Sequence, residues 1–159
     1  MLFRSKDFKL SLNHKIPPPI VALLCAVLIY CSADRLPRWV FDYQSVVALL
    51  IAVMGLVVLT AAIVSFARSK TTLNPLQPKT ASALVTTGVY RLSRNPMYLA
   101  MLLFILSVWV FTGAISGFVL LPSFVVYIYL FQIQPEERAM KELFPEAYPV
   151  YCRQVRRWI

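Results

Sequence analysis

Two short polar stretches of this chain hold residues able to bind and orient a small charged molecule, and each abuts an apolar run. The first reads Leu84-Val85-Thr86-Thr87-Gly88-Val89-Tyr90-Arg91-Leu92-Ser93-Arg94-Asn95-Pro96-Met97-Tyr98. Gly88 permits a turn, and Pro96 suits the first turn of a helix, where its missing N–H is not needed. A helix that starts there offers free backbone N–H groups to a carboxylate or phosphate. Tyr90 and Tyr98 add aromatic faces able to receive a cation. The plainer alternative is an anchor of arginine and tyrosine ahead of a membrane span. The second stretch is Glu136-Glu137, close behind Gln132 and Pro135. Two acids there run against the basic trend of the neighbouring polar segments. They can accept hydrogen bonds from an amine, or pair with Arg94 or Arg153. The plainer alternative is a solvated helix start, where acids also favour the dipole.

The elements that must position these residues are set by hydropathy. Of the 159 residues, 59% are hydrophobic and 14% are charged, against about 25% charged in a soluble domain. So little charge cannot cover a soluble domain of this size, so lipid must be the solvent for much of the chain. One apolar segment runs from Ile20 to Ala33 behind Pro17-Pro18-Pro19. A second runs from Val46 to Ala67 without a charge. From Met97 to Phe131 no residue is charged. As a helix that stretch would be about 52 Å long against a hydrocarbon core of about 30 Å, too long for one crossing and suited to two. Thr112-Gly113 and Ser116-Gly117 mark the turn of a helical hairpin with arms 97–112 and 115–132, and Pro122 should bend the second arm. The tail, 132–159, holds all the glutamates. Phe144, Tyr148, Tyr151 and Val155 recur there at helical spacing, as in amphipathic helices on a membrane surface.

The expected fold is therefore a single all-α integral membrane domain. About four transmembrane helices cross the bilayer, with interfacial cytoplasmic helices added. Residues 1–69 supply two N-terminal spans, and 70–159 the half that carries the two polar stretches. The N-terminus, the 68–95 connection and the tail are basic, the 34–44 loop is neutral and the 112–117 turn uncharged. The positive-inside bias then puts both termini in the cytoplasm. The formal charge of +9 suits anionic headgroups better than nucleic acid, because the basic residues flank apolar runs. Cys25, Cys31 and Cys152 show no CxxC spacing, and the lone His14 has no partner nearby, so no zinc site or disulfide framework is indicated. The layout before the first apolar run is not that of a cleaved leader. The spans hold no Asp, Glu, Lys, Arg or His, which argues against a proton- or ion-coupled transporter. The 68–95 connection is long enough to be functional.

Taken together, the two stretches resemble the isoprenylcysteine carboxyl methyltransferase and phospholipid methyltransferase group of membrane enzymes. The resembling parts are Thr71-Thr72-Leu73-Asn74-Pro75, Leu84 to Tyr90, Arg94-Asn95-Pro96-Met97-Tyr98, Glu136-Glu137, Phe144, Tyr148, Tyr151 and the closing Val155-Arg156-Arg157-Trp158. They cover roughly residues 70–159. The resemblance implies an S-adenosylmethionine pocket in this half. The cofactor contacts it implies come from Ser82, Ala83, Leu84, Val85, Tyr90, Asn95, Pro96, Met97, Tyr98 and Glu136. Glu136 would accept from the cofactor's amino group. Arg94 and the helix start would receive its carboxylate, and Tyr90 or Tyr98 would face the sulfonium. No glycine-rich dinucleotide fingerprint is present. Two departures stand out. The prenylcysteine enzymes read Arg-His-Pro where this chain reads Arg94-Asn95-Pro96. Gln132 stands near the place of their acceptor-binding arginine, which puts a prenylcysteine substrate in doubt.

The activity implied is in-line methyl transfer to a lipophilic small molecule or lipid-modified acceptor at the cytoplasmic interface, without a metal. An amine acceptor would need a base, for which Glu137 is the candidate. The short chain suggests a prokaryotic inner membrane. Two other functions fit the composition. One is a non-catalytic four-span scaffold that binds anionic lipid. The other is a membrane reductase using a nicotinamide cofactor, with basic residues of 68–94 on its phosphates.

Overall fold

A computed structural model describes residues 16–69 and 84–159. His14, Thr71 to Pro75, Ser82 and Ala83 lie outside the described residues. Among the described residues all regular structure is helical, with one isolated bridge between Arg38 and Ala114. Helix α1, Pro18–Ser32, begins on the proline run, so it starts two residues before the apolar pattern does. The ring fixes φ near its helical value and leaves no N–H unsatisfied in the first turn. Helix α2, Gln44–Arg68, follows a left-handed Tyr43 (φ 62). Helices α3, Pro96–Thr112, and α4, Gly117–Ile128, form the hairpin on either side of Gly113. Gly113 adopts φ +65, and a side chain there would overlap the Trp39 carbonyl. The hairpin turn is thus pinned to the 34–43 loop. Trp39 N–H donates to the Gly113 carbonyl (2.9 Å), and Ile115 N–H to the Pro37 carbonyl (3.0 Å).

Pro122 stands inside α4 without ending it. The helix instead widens to a π-turn at Tyr129–Ile133 and continues as α5, Gln134–Leu143. The second arm, expected to end at 132, thus runs on into the polar tail. Pro135 lacks an N–H for the Phe131 carbonyl and would crowd it in a tight α-turn, and the wider turn ahead of it relieves that clash. The apolar part of this long helix ends at Ile133, and from Glu136 onward it is charged. Helix α6, Ala147–Gln154, closes the fold, after which Val155 is extended.

Ile29, Ile105, Phe124, Ile128 and Ile133 make the fully enclosed core between α1, α3 and α4. On the other side, α2 packs along α3. Gly55 lies against Ala100, Leu103 and Phe104, and the lack of a side chain there lets the two backbones approach. Gln44 caps the other end of α3 by donating to the carbonyls of Val110 (2.6 Å) and Phe111 (3.1 Å). The outward faces remain apolar: Leu23, Leu49, Leu50 and Val57 are each more than half exposed. Water would penalise such a surface and lipid does not. Two helices, Gln44–Arg68 and Gly117–Leu143, are long and apolar enough to cross a membrane; α1 and α3 are shorter apolar helices.

Candidate functional site

The polar residues singled out in the sequence gather at one end of the bundle, where the start of α3 meets α5, α6 and the extended tail. Leu84 packs on the cluster of Tyr148, Tyr151 and Val155. Val85 is buried with Ala62 of α2 and Tyr90. The short 3-10 turn Gly88–Arg91 lies on α2. Gly88 makes this possible: its φ is +62, and a side chain there would run into the Ser65 hydroxyl. Tyr90 is thereby buried, edge-on to Phe66 with ring centroids 5.2 Å apart. Its carbonyl accepts from the Tyr151 hydroxyl at 2.6 Å.

Asn95 precedes α3 in the N-cap position but does not cap it. Its amide instead donates to the Arg157 carbonyl (3.0 Å), and its own N–H goes to the Ser93 hydroxyl (3.2 Å). Pro96 has no N–H, so Met97 and Tyr98 begin the helix without a side-chain acceptor. Such groups favour an anion. One turn in, the buried Tyr98 hydroxyl donates to Glu136 Oε1. The second oxygen of Glu136 takes no hydrogen bond from the described residues. Burial among apolar groups pushes the Glu136 carboxyl up to about 7; the Tyr98 hydroxyl opposes that shift and the neighbouring Glu137 carboxylate adds to it. Tyr90 is raised well above the ordinary phenol value by burial, with Tyr151 and Glu136 adding to the shift. Tyr90 and Glu136 are thus close enough to feel one another.

Glu137 faces the other way. Arg157 Nε and Nη2 donate to its two oxygens at 2.8 and 2.9 Å, and Arg94 Nη2 stands 3.4 Å from Oε1. Hydrogen bonding to Glu137 raises the Arg157 guanidinium above its ordinary value, against the opposing effect of burial. Arg94 also donates to the Cys152 sulfur, and its Nε is buried without a partner among the described residues. Burial carries Tyr151 up to about 12, with Arg94 opposing and Cys152 adding to that shift.

The structure therefore joins Tyr90, Asn95, Pro96, Met97, Tyr98 and Glu136, with Leu84 and Val85 beside them. It does not join Gln132 to this group. That side chain is fully buried and donates to the Ile16 carbonyl at 3.2 Å, ahead of α1. Of the two arginines the sequence offered to the acidic pair, Arg94 stands against Glu137, while the paired hydrogen bonds come from Arg157 and not from Arg153. The sequence reading gives Ser93 and Cys152 no role; Tyr151 enters it through the aromatic spacing of the tail and through the resemblance. Among the described residues no group of three His, Cys, Asp or Glu side chains could hold a metal ion.

A family model described as phospholipid methyltransferase matches residues 43–147. No curated protein and no solved structure matches the chain.

Proposed function

The chain belongs to the phospholipid methyltransferase family, and from that premise we propose that it transfers a methyl group from S-adenosylmethionine to a lipophilic acceptor at the cytoplasmic membrane surface. The observation that carries this reading is the pairing of Tyr98 with Glu136 beside the uncapped start of α3. The residues present fit the cofactor's charges in kind. Glu136 keeps one oxygen for the amino group. The N–H groups of Met97 and Tyr98 suit the carboxylate. The Tyr90 region suits a sulfonium, and Leu84 and Val85 offer an apolar wall to the adenine.

When bound, the cofactor supplies a methyl group already activated on sulfur, so the protein's work is to align and to exclude water. Tyr98 fixes the rotamer of Glu136 through its hydroxyl. The clusters around Tyr90 and around Tyr148 and Tyr151 wall the site off from water on two sides. Both oxygens of Glu137 are already engaged by arginine. Taking a proton there would cost one arm of that pair, so we assign Glu137 to holding the site together. We read the four apolar helices as four crossings, with both termini in the cytoplasm, and the acceptor as entering from the lipid side.

Calorimetric titration of the detergent-purified protein with S-adenosylmethionine and S-adenosylhomocysteine tests the reading. We expect saturable binding that Glu136→Ala weakens tenfold or more, about 1.4 kcal/mol. No binding by a folded wild type would overturn it.

A further inference from the structure

The closing residues of the chain touch both halves of the candidate site. The Arg157 side chain forms the paired hydrogen bonds to Glu137 and lies over the Tyr129 ring, 5.0 Å from its centre. The Arg157 carbonyl accepts from the Asn95 amide (3.0 Å) and the Ser93 hydroxyl (3.4 Å). The carbonyl of Arg156 accepts from Arg94 N–H (3.1 Å). One residue thus links α5 and the π-turn, through its side chain, to the lead-in of α3, through its backbone. Asparagine at an N-cap ordinarily accepts from the helix's own N–H groups. Here the amide is drawn away from that task by the tail.

We infer that Arg157 is a positioning residue: anchored on Glu137 and Tyr129, it holds its carbonyl against Asn95, keeps that side chain from capping α3, and so leaves the helix start open to the cofactor carboxylate. This inference rests on the methyltransferase reading above. It differs from a purely structural role in one respect. Once Arg157 is lost, Asn95 becomes a competitor for the N–H groups that the cofactor needs, so deleting the Asn95 side chain should then help binding.

The test combines S-adenosylmethionine titration with amide hydrogen exchange over residues 93–98, on the full chain in detergent. Arg157→Ala should weaken binding about tenfold, ~1.4 kcal/mol, and raise exchange at 93–98. Arg157→Lys should fall between, because an ammonium lacks the planar fork that meets both Glu137 oxygens; it also carries the comparison if the alanine variant does not fold. On this inference Asn95, engaged on the Arg157 carbonyl, is not itself a cofactor contact, contrary to what the resemblance implies, so adding Asn95→Ala to either Arg157 variant should recover part of the lost affinity. Wild-type affinity in Arg157→Ala would overturn the inference, as would a further loss in the double variant, which is the result two independent structural defects give. A folded wild type that binds no S-adenosylmethionine would instead overturn the methyltransferase reading. The tail's hold on the α3 lead-in is then judged by exchange alone: a rise at 93–98 in Arg157→Ala upholds it, and unchanged exchange overturns it.

Discussion

Changing pH should move the stability of the free protein and its affinity for S-adenosylmethionine in opposite directions, and Glu136 should be the cause of both. Its carboxyl is raised from 4.5 to about 7 in the fold, chiefly by burial. For an acid raised on folding, the folded state binds the proton more tightly than the unfolded chain does. The stabilisation is therefore complete below the unfolded value of 4.5 and is lost as pH rises through about 7. A shift of that size corresponds to roughly 3 kcal/mol. Affinity runs the other way, because only the carboxylate pairs fully with the cofactor's ammonium. With a carboxyl near 7, the ionised fraction is about a tenth at about pH 6 and about nine-tenths at about pH 8. Because the cofactor's amino group, with an ordinary value of about 8, is itself only about half charged at about pH 8, binding should weaken roughly fivefold on going from about pH 8 to about pH 6, ~1 kcal/mol.

Calorimetric titrations and thermal melts across that range measure both trends. Glu136→Gln should flatten both. It should also weaken binding by about 1.5–3 kcal/mol, the worth of a hydrogen bond to a charged group. Its melting temperature near about pH 8 should exceed that of the wild type, since no buried charge is left to desolvate. A wild-type affinity constant from about pH 6 to about pH 8, or a glutamine variant that keeps the slope, would refute the reasoning.

Tyr151→Phe removes the donor to the buried Tyr90 carbonyl. It should destabilise by about 1–3 kcal/mol, the cost of an unsatisfied buried group, read as a lower melting temperature. Gly88→Ala puts a side chain at φ +62 against Ser65. The left-handed backbone alone costs roughly 1–2 kcal/mol, and a Gly88→Ala, Ser65→Gly double variant should recover only the part due to overlap. Cys31 is exposed at the end of α1, and Cys152 lies partly exposed in the site. A membrane-impermeant maleimide added to intact cells should label Cys31 at once and Cys152 only after permeabilisation; the reverse order would invert the proposed topology.

Much of the fold was legible because hydropathy and prolines mark it directly. Pro17 to Pro19 announce the start of α1, the charge-free run with Gly113 at its turn announces the hairpin, and Pro96 announces α3. The π-turn at Tyr129–Ile133 was not legible, because one residue of extra width leaves an apolar stretch looking the same. The acidic pair was visible, but its two members turned out to face different partners. That split depends on Tyr98 reaching Glu136 and Arg157 reaching Glu137, which only tertiary packing decides. Gln132 drew notice through the resemblance, yet one of its hydrogen bonds runs to Ile16, far away along the chain. The uncapped start of α3 agrees with the free N–H groups expected behind Pro96, but the tail that engages the Asn95 amide was not legible.

The division of labour between the two acids has a thermodynamic consequence. Glu137 is bracketed by Arg157 and Arg94, so its environment changes little when a ligand arrives. Glu136 has Tyr98 on one oxygen, and burial raises its carboxyl to about 7. An ammonium brought to its free oxygen favours the carboxylate, so the carboxyl proton must leave on binding. At about pH 6, where the cofactor's amino group is fully charged, S-adenosylmethionine should release close to one proton per site; the release should fall as pH rises and turn to net uptake near about pH 8, where the amino group itself must gain a proton to pair. Titrations in buffers of different ionisation enthalpy measure this number directly, because the released proton is taken up by the buffer and adds its heat. Glu136→Gln should abolish the buffer dependence at about pH 6 while Tyr151→Phe keeps it. Binding with no buffer dependence there in the wild type would mean that the cofactor's amino group does not meet Glu136, and the pairing of Tyr98 with Glu136 would then be architecture alone.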